Sequence, residues 1–153
     1  MARPQKPLGL EYFYLEVNFF KNKKIELISE KFGEIAELII LKILVKIYEE
    51  KGYYCEWDED SIRLFAKYSK EYNYKQINDI TIESLIRNFF SFRLYEEYKI
   101  LTNQYIQEHY LHATKQRNKI ILEKKFLCLP KYILEFIEKE KYFEVLNRKI
   151  EII

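Results

Sequence analysis

The stretch Glu34–Lys51, EIAELIILKILVKIYEEK, decides the fold of this chain. Its apolar residues occupy nearly all sides of a helix, a pattern typical of a helix buried in the middle of a domain. Glu37, Lys42 and Lys46 interrupt the apolar run, which is therefore too polar to span a bilayer. Gly52 is expected to end the helix. The sequence thus predicts a globular domain packed around this helix.

The glycine content excludes two large classes of enzyme. Only 3 of the 153 residues are glycine, and Gly9, Gly33 and Gly52 stand far apart. A P-loop or a Rossmann turn needs clustered glycines so that the backbone can approach a phosphate. Acidic runs such as Asp58–Asp60 have no neighbouring nucleophile and are explained by a helix start. We therefore expect no enzymatic activity.

No cofactor, metal or membrane is expected as a partner. Cys55 and Cys128 form neither a disulfide framework nor a zinc-binding spacing, so both should be reduced thiols. His109 and His112 lie three residues apart without a third ligand, which favours a structural role over a metal site. The N-terminal residues contain no apolar signal segment, so a cytoplasmic location is expected.

Capping residues and helix breakers predict the remaining elements. The capping-box pair Asn73 and Gln76 should start one helix, and Asn88 should follow it in a left-handed conformation. The predicted helices span residues 22–33, 34–51, 58–69, 74–87 and 103–117, with a short strand at 53–57 and a further helix from Pro130.

The helix after Asn73 carries two apolar faces instead of one. Ile77 and Ile80 define the first, and the second, which begins at Ile82, lies roughly 140° round at about 100° per residue. This mismatch predicts an irregular turn, a π-bulge or a break around Ile80–Ile82.

The order of the elements predicts a mainly α (α+β) winged-helix domain. Residues 89–93 and 100–102 are expected to be two strands flanking a small turn or helix, Leu94–Lys99, as in a wing. The chain then divides into an N-terminal arm (1–20), a winged-helix domain (21–118) and a C-terminal extension (119–153). In the extension, alternating apolar residues predict a hairpin around Asn147–Arg148. The apolar arm either packs back on its own domain or reaches a second subunit.

The chain resembles the N-terminal domain of DnaD-like replisome-organiser proteins of phages, plasmids and integrated elements, long catalogued as a domain of unknown function. The resemblance covers roughly residues 8–118 and depends on many short matches. These are Gly9–Phe13, Asn18–Phe20 with Lys24 and Ile25, Phe32–Gly33, Ile47–Tyr54, Trp57–Asp60, Ile100–Thr102, and Ile106–Ala113 followed by Lys115 and Arg117.

Three departures from the family pattern concern backbone geometry. Asn88 and Lys99 stand where the family usually has glycine, and an extra residue lies near Thr81. Asn tolerates a left-handed backbone, whereas Lys at the second position predicts a reshaped turn. The longer family members also carry a C-terminal DnaD-like domain, which has no counterpart in residues 119–153.

The resemblance implies a winged-helix module in replication initiation of a phage-like mobile element. Such a module would bind DNA, self-associate through the arm, or engage helicase-loading proteins. The residues expected to face DNA from the helix before the wing and its surroundings are Lys67, Lys70, Tyr72, Asn73, Tyr74, Lys75, Gln76, Asn78, Arg87 and Arg93. Lys and Arg would bind phosphates, while Asn and Gln could read base edges. An ordinary solvated helix face is the competing interpretation.

A basic segment supplies a second set of phosphate-binding candidates. Residues 111–131 carry six bases against one acid, whereas residues 26–60 carry ten acids against four bases. The candidates in the basic segment are Lys115, Arg117, Lys119, Lys124 and Lys125. A solvated lysine-rich face explains them equally well. The alternative function is a protein-interaction or oligomerisation module that has the winged-helix fold but does not bind DNA.

Overall fold

The computed structural model describes residues 8–138 and 149–153. Within these ranges the protein is mainly α-helical, with short strands. The helices are α1 (Lys23–Phe32), α2 (Glu34–Glu50), α3 (Glu59–Lys67), α4 (Tyr74–Ile86), α5 (Phe92–Tyr98), α6 (Gln104–Ala113) and α7 (Lys131–Glu138). The strands are β1 (Cys55–Glu56), β2 (Ile100–Leu101), β3 (Lys119–Leu122) and β4 (Lys149–Ile152). None of the helices in the described ranges has the length and apolarity that a membrane crossing requires.

Helix α2 forms the centre of the core, as its sequence predicts. Ile39, Ile43 and Ile47 are fully buried on its inner side. The expectation that α2 is buried on all sides is wrong, because Leu38 and Val45 on the opposite side are exposed to solvent. Helices α1 and α4 and strand β1 pack against α2. A helix with apolar residues on all sides can still have one side exposed to solvent, because single apolar residues are common on protein surfaces.

Helix α4 is continuous, so the predicted break around Ile80–Ile82 is wrong. Thr81 and Ser84 account for the misleading pattern, because both are buried although both are polar. Their hydroxyls donate to the carbonyl oxygens of Ile77 and Ile80, each at 2.8 Å, so both hydroxyl groups find a hydrogen-bond acceptor within the helix. The inner face of α4 therefore includes polar residues, while the apolar Ile82 lies outside.

The predicted two-stranded wing is also wrong. Residues 89–91 are not a strand, and helix α5 begins at Phe92, although a small helix between Leu94 and Lys99 was one of the expectations. Strand β2 pairs antiparallel with β1, with Cys55 opposite Leu101. The predicted left-handed conformation of Asn88 is confirmed by its φ of 54°.

The C-terminal extension contains a small parallel sheet of β3 and β4, in which Ile120 lies opposite Ile150. The helix predicted from Pro130 is confirmed as α7. The proposed hairpin turn Asn147–Arg148 lies outside the described residues. Lys149–Ile152, its predicted second strand, pairs with β3.

The N-terminal arm packs back on its own domain. The backbone amide of Leu10 donates to the carbonyl of Tyr48 at 2.6 Å, and the Tyr110 hydroxyl donates to the carbonyl of Leu8 at 2.8 Å. Gly9 is required here, because a Cβ at this position would lie 1.8 Å from the carbonyl oxygen of Glu49. The first of the two alternatives for the arm is thus observed. A contact of the arm with a second subunit stays a prediction.

Further along the arm, the contact between the arm and helix α6 includes a hydrogen bond to His109. The backbone amide of Tyr14 donates to Nε2 of His109 at 3.2 Å, so this nitrogen must be unprotonated. The His109 ring also packs edge-on against Tyr48, with ring centroids 5.4 Å apart. Burial lowers the pKa of His109 below its ordinary value of 6.5; His112 adds to this effect and Glu16 opposes it.

We expect the stability of the protein to fall on mild acidification. Because the pKa of His109 is lower in the folded chain, the unfolded chain binds the proton first as the pH falls. The contribution of neutral His109 to the free energy of unfolding is complete above pH 6.5 and is lost as the pH falls from 6.5 through the lowered pKa. Thermal unfolding at about pH 7.5 and about pH 5.5 measures this change. His109→Gln, whose amide oxygen can accept the same hydrogen bond, should flatten the dependence, and His112→Gln should flatten it only in part, because His112 merely adds to the lowering of the His109 pKa. A dependence that persists unchanged in His109→Gln contradicts the assignment.

Lys99 is a second position at which we expect a measurable effect on stability. It has a left-handed backbone with φ of 52° at the C-terminus of α5, where a β-carbon costs about 1 kcal/mol. Lys99→Gly removes this strain but also loses the contact of the Lys99 ammonium with the Tyr95 ring. The free energy of unfolding should therefore rise by a net amount of roughly 0.5–1 kcal/mol. Urea unfolding gives the value.

Two control variants accompany Lys99→Gly. Lys99→Ala loses the Tyr95 contact but keeps the strain, so it should not be stabilised. Asn88→Gly should change little, because Asn already tolerates this conformation. Equal stability of the Gly and Ala variants at residue 99 would show that the left-handed backbone carries no cost.

Candidate nucleic-acid interface

Helices α3 and α4 meet at a junction between Lys67 and Tyr74, and each helix has a side-chain cap at its N-terminus. Asp58 accepts a hydrogen bond from the backbone amide of Ser61 at 2.8 Å and starts α3. Asn73 and Gln76 exchange hydrogen bonds with each other's backbone amides, at 3.0 and 3.1 Å, and start α4. This is the capping box that the sequence predicts.

Aromatic packing holds the junction onto the core. Phe65 on the inner side of α3 packs edge-on against Trp57, with ring centroids 5.1 Å apart, and also contacts Tyr72. Tyr72 is buried, and the Lys42 ammonium lies 5.2 Å from its ring centre. Tyr72, which was expected to face DNA, therefore belongs to the packing beneath the junction.

The outer surface of the junction is an open depression of about 680 Å³. It is lined by Arg63, Ala66, Lys67, Ser69, Lys70, Glu71, Tyr72, Asn73, Tyr74 and Gln76. Three of these side chains are cationic and one is anionic. Lys67 and Lys70 make no ion pair with any residue that the structure describes. The surface therefore presents positive charge that is not locally neutralised.

Besides Tyr72, five residues predicted to bind DNA line this depression: Lys67, Lys70, Asn73, Tyr74 and Gln76. The oxygens of the Asn73 and Gln76 amides are used in the capping box, while their NH₂ groups take no part in those two bonds. Tyr74 is half-buried beneath the guanidinium of Arg63, which lies 4.8 Å from the ring centre.

Arg63 and Tyr68 were missed by the sequence reasoning. Arg63 lies one helical turn before Lys67 on α3, and this spacing of four residues is a signal that could have found it. It also pairs with Glu59 at 2.6 Å. Tyr68 lies between two residues of the lining and is 83% exposed. An isolated exposed tyrosine gives no periodic signal.

The outer side of α4 beyond the junction carries little net charge. Lys75 pairs with Asp79 at 2.7 Å, and Asn78 is half-buried. Ile82 and Ile86 follow on this side, 44% and 69% exposed.

Arg87, at the end of α4, is held away from the depression. Its guanidinium donates to Glu83 at 2.9 Å, and the same carboxylate accepts from Lys31 at 2.8 Å. The hydrogen bond from Lys31 lowers the pKa of Glu83, with further lowering from Arg87, although burial opposes both. This triad joins α1 to α4, so Arg87 has a structural partner already.

The basic segment is largely engaged in contacts within the protein. Arg117 donates to the carbonyl oxygens of Leu8 and Gly9 and so anchors the arm. Lys119 pairs with Glu151 across the parallel sheet at 2.8 Å, and Lys125 lies 3.7 Å from Glu123.

The remaining candidates are spread over other surfaces. Arg93 on α5 lies 3.5 Å from Glu97, Lys124 has an interaction partner of its own, and Lys115 is exposed beside the end of α6. None of the candidates after Gln76 lines the depression at the α3–α4 junction.

The two thiols lie away from this surface. Burial raises the pKa of Cys55 well above its ordinary value and raises the pKa of Cys128 to about 11. Both cysteines are free and would be protonated near neutral pH. They contribute apolar packing and no nucleophile.

Comparison with known proteins identifies the family. The chain is 33% identical over 131 residues to the "Uncharacterized phage-related protein Lin1244/Lin1753" of Listeria innocua serovar 6a (strain ATCC BAA-680 / CLIP 11262). The alignment covers 86% of this chain and 42% of the Listeria protein, so the chain spans less than half the length of that relative. No solved structure matches the chain. The family model described as "Lin1244/Lin1753-like, N-terminal" matches residues 12–106, and the chain therefore belongs to this family.

Proposed function

We propose that the protein is a non-catalytic nucleic-acid-binding module that binds phosphates at the α3–α4 junction. The observation that carries the proposal is the pair of unneutralised cations, Lys67 and Lys70, in an open depression between two capped helices. Phosphates are the commonest target of such side chains in nucleic-acid complexes.

The junction has a second feature that suits an anion. The first turn of α4 faces the depression through Asn73, Tyr74 and Gln76, and a helix N-terminus carries partial positive charge. The acidic first turn of α3 lies at the other end of that helix. Within that turn Glu59 pairs with Arg63, and Glu71 is the one acid in the lining, so Lys67 and Lys70 keep the depression net positive.

The element order supports a winged-helix relationship. Helices α3 and α4 follow β1, and β2 returns to pair with β1, as the third strand of a winged helix does. Helix α5 stands in place of the first wing strand. One hydrogen bond, from the amide of Ser91 to the carbonyl of Thr102 at 2.8 Å, joins the residue before α5 to the residue after β2. We propose a winged helix whose wing has become helical.

The biological setting rests on the relatives. The Listeria relative is named as phage-related, which supports a role in a phage-like mobile element. A role in replication initiation, and contacts with helicase-loading proteins, rest on the resemblance to DnaD-like replisome organisers. The DNA-binding step is the part that the chain's own surface supports.

A protein-interaction module is the second candidate, and one observation favours it. Ile82 and Ile86 present apolar surface on the part of α4 where a DNA-reading helix would carry polar side chains. Exposed Leu64 on α3 and Val17 in the arm add to the apolar surface. If this candidate is right, charge reversal at the junction will leave binding to partners unchanged and DNA binding will be absent at low salt.

The double variant Lys67→Glu/Lys70→Glu tests the proposed function. We expect it to weaken DNA binding about tenfold at low salt and to reduce the slope of log K against log salt by about 0.7–0.9 per lost phosphate contact. Fluorescence anisotropy with labelled oligonucleotides over a salt series measures both quantities.

Lys21→Glu/Lys23→Glu is the matched control, because it changes net charge equally at two exposed positions away from the junction. Lys119→Glu/Lys124→Glu/Lys125→Glu tests the basic segment separately. The proposal is wrong if the wild-type protein shows no salt-sensitive binding, or if only the basic-segment variant loses it.

A further inference from the structure

We propose that the α3–α4 junction binds single-stranded nucleic acid in preference to a duplex, with a base stacked on Tyr68. The inference rests on the proposed function and specifies its ligand. It follows from three features: a neutral surface where a duplex would dock, an exposed aromatic ring, and two cations close to that residue in the sequence that line the depression.

The surface that a helix-turn-helix protein places in the major groove is the outer side of its second helix. On α4 this side holds the Lys75–Asp79 ion pair followed by Ile82 and Ile86. A duplex docked here would bring its phosphates close to the Asp79 carboxylate and to apolar side chains. Neither interaction favours binding, because phosphate affinity depends on unneutralised Lys and Arg.

Helix α5, which stands where a wing would contact the duplex, is similarly neutral. Arg93 lies 3.5 Å from Glu97, and Glu96 is exposed beside it. The two elements that would embrace a duplex therefore offer few free cations. A duplex has a broad, regular phosphate surface that needs many such contacts.

Tyr68 offers what a single strand requires. It follows the last residue of α3, and its side chain is 83% exposed. Its ring makes no aromatic contact with the part of the chain that the structure describes. Bases stack on exposed aromatic rings with little sequence preference, but only where they are not already paired and stacked within a duplex.

Two cations flank Tyr68 in the sequence and line the depression beside it. Lys67 precedes Tyr68 directly and Lys70 follows it by two residues, and both line the depression. Arg63 lies one turn earlier on α3, about 6 Å along the helix axis from Lys67. Its guanidinium lies over the ring of Tyr74, 4.8 Å from the ring centre. A cationic channel interleaved with aromatic side chains is the usual composition of single-strand-binding surfaces.

The test compares one labelled 20-nucleotide DNA without self-complementarity, the duplex formed with its complement, and an abasic 20-mer that has the same backbone without bases. We expect the wild-type protein to bind the single strand at least tenfold more tightly than the duplex or the abasic strand. Tyr68→Ala should lower affinity for the single strand about tenfold and leave the abasic strand unchanged.

Three variants separate stacking from other causes. Tyr68→Phe keeps the ring and should bind within about twofold of the wild type. Tyr12→Ala removes a ring of similar exposure, 78%, in the arm and should have no effect. Lys67→Glu/Lys70→Glu should weaken binding to all three oligonucleotides, because each contains phosphates. Thermal unfolding of each variant shows whether the fold is kept.

The outcomes distinguish this inference from the proposed function. Equal or tighter binding of the duplex, or equal loss of single-strand and abasic affinity in Tyr68→Ala, overturns the single-strand preference and leaves phosphate binding at the junction intact. Failure of the wild-type protein to bind any of the three oligonucleotides overturns the proposed function itself.

Discussion

The indole of Trp57 holds together the elements that create the α3–α4 junction. It is fully buried, and its Nε1 donates to the hydroxyl of Thr81 on α4 at 3.1 Å. The backbone amide of Trp57 donates to the carbonyl of Lys99 at 2.7 Å, and this hydrogen bond extends the pairing of β1 with β2. Its ring also packs against Phe65 of α3. One residue thus fixes the strand pair, α3 and α4 relative to one another.

The position of the charges follows from this arrangement. Because α3 turns its apolar side towards Trp57, Arg63 and Lys67 must face solvent, one helical turn apart. The capping box then turns the chain into α4 and brings the helix N-terminus to the same surface. Two of the other candidate cations are used internally. Arg117 anchors the arm, and Arg87 closes the triad with Glu83 and Lys31. A cluster of bases adjacent in the sequence therefore does not indicate by itself which cations lack a partner in the folded chain.

Several features could be predicted because their causes are local. The capping box at Asn73, the helix start at Asp58 and the left-handed Asn88 depend on neighbouring residues only. The break in α4 was predicted wrongly because apolar periodicity assumes that polar residues face water. Thr81 contradicts that assumption, since its hydroxyl bonds within the helix and also accepts from Trp57. The prediction of a two-stranded wing was wrong for a related reason. Aromatic residues at 89–92 have high strand propensity, but Ser91 caps a helix there and accepts from the amide of Leu94.

The amino-acid order alone accounts for the mainly helical architecture, the ends of most helices and the absence of glycine-rich phosphate loops, because caps, breakers and periodicity act over a few residues. Which cations remain free could emerge only from the folded chain. Arg117 and Lys119 carry the same positive charge as Lys67 and Lys70, but the first pair meets acceptors from residues 8–9 and 151, more than thirty positions away in the sequence. Long-range packing brings those acceptors close, and it leaves the surface beside Tyr68 positively charged and open.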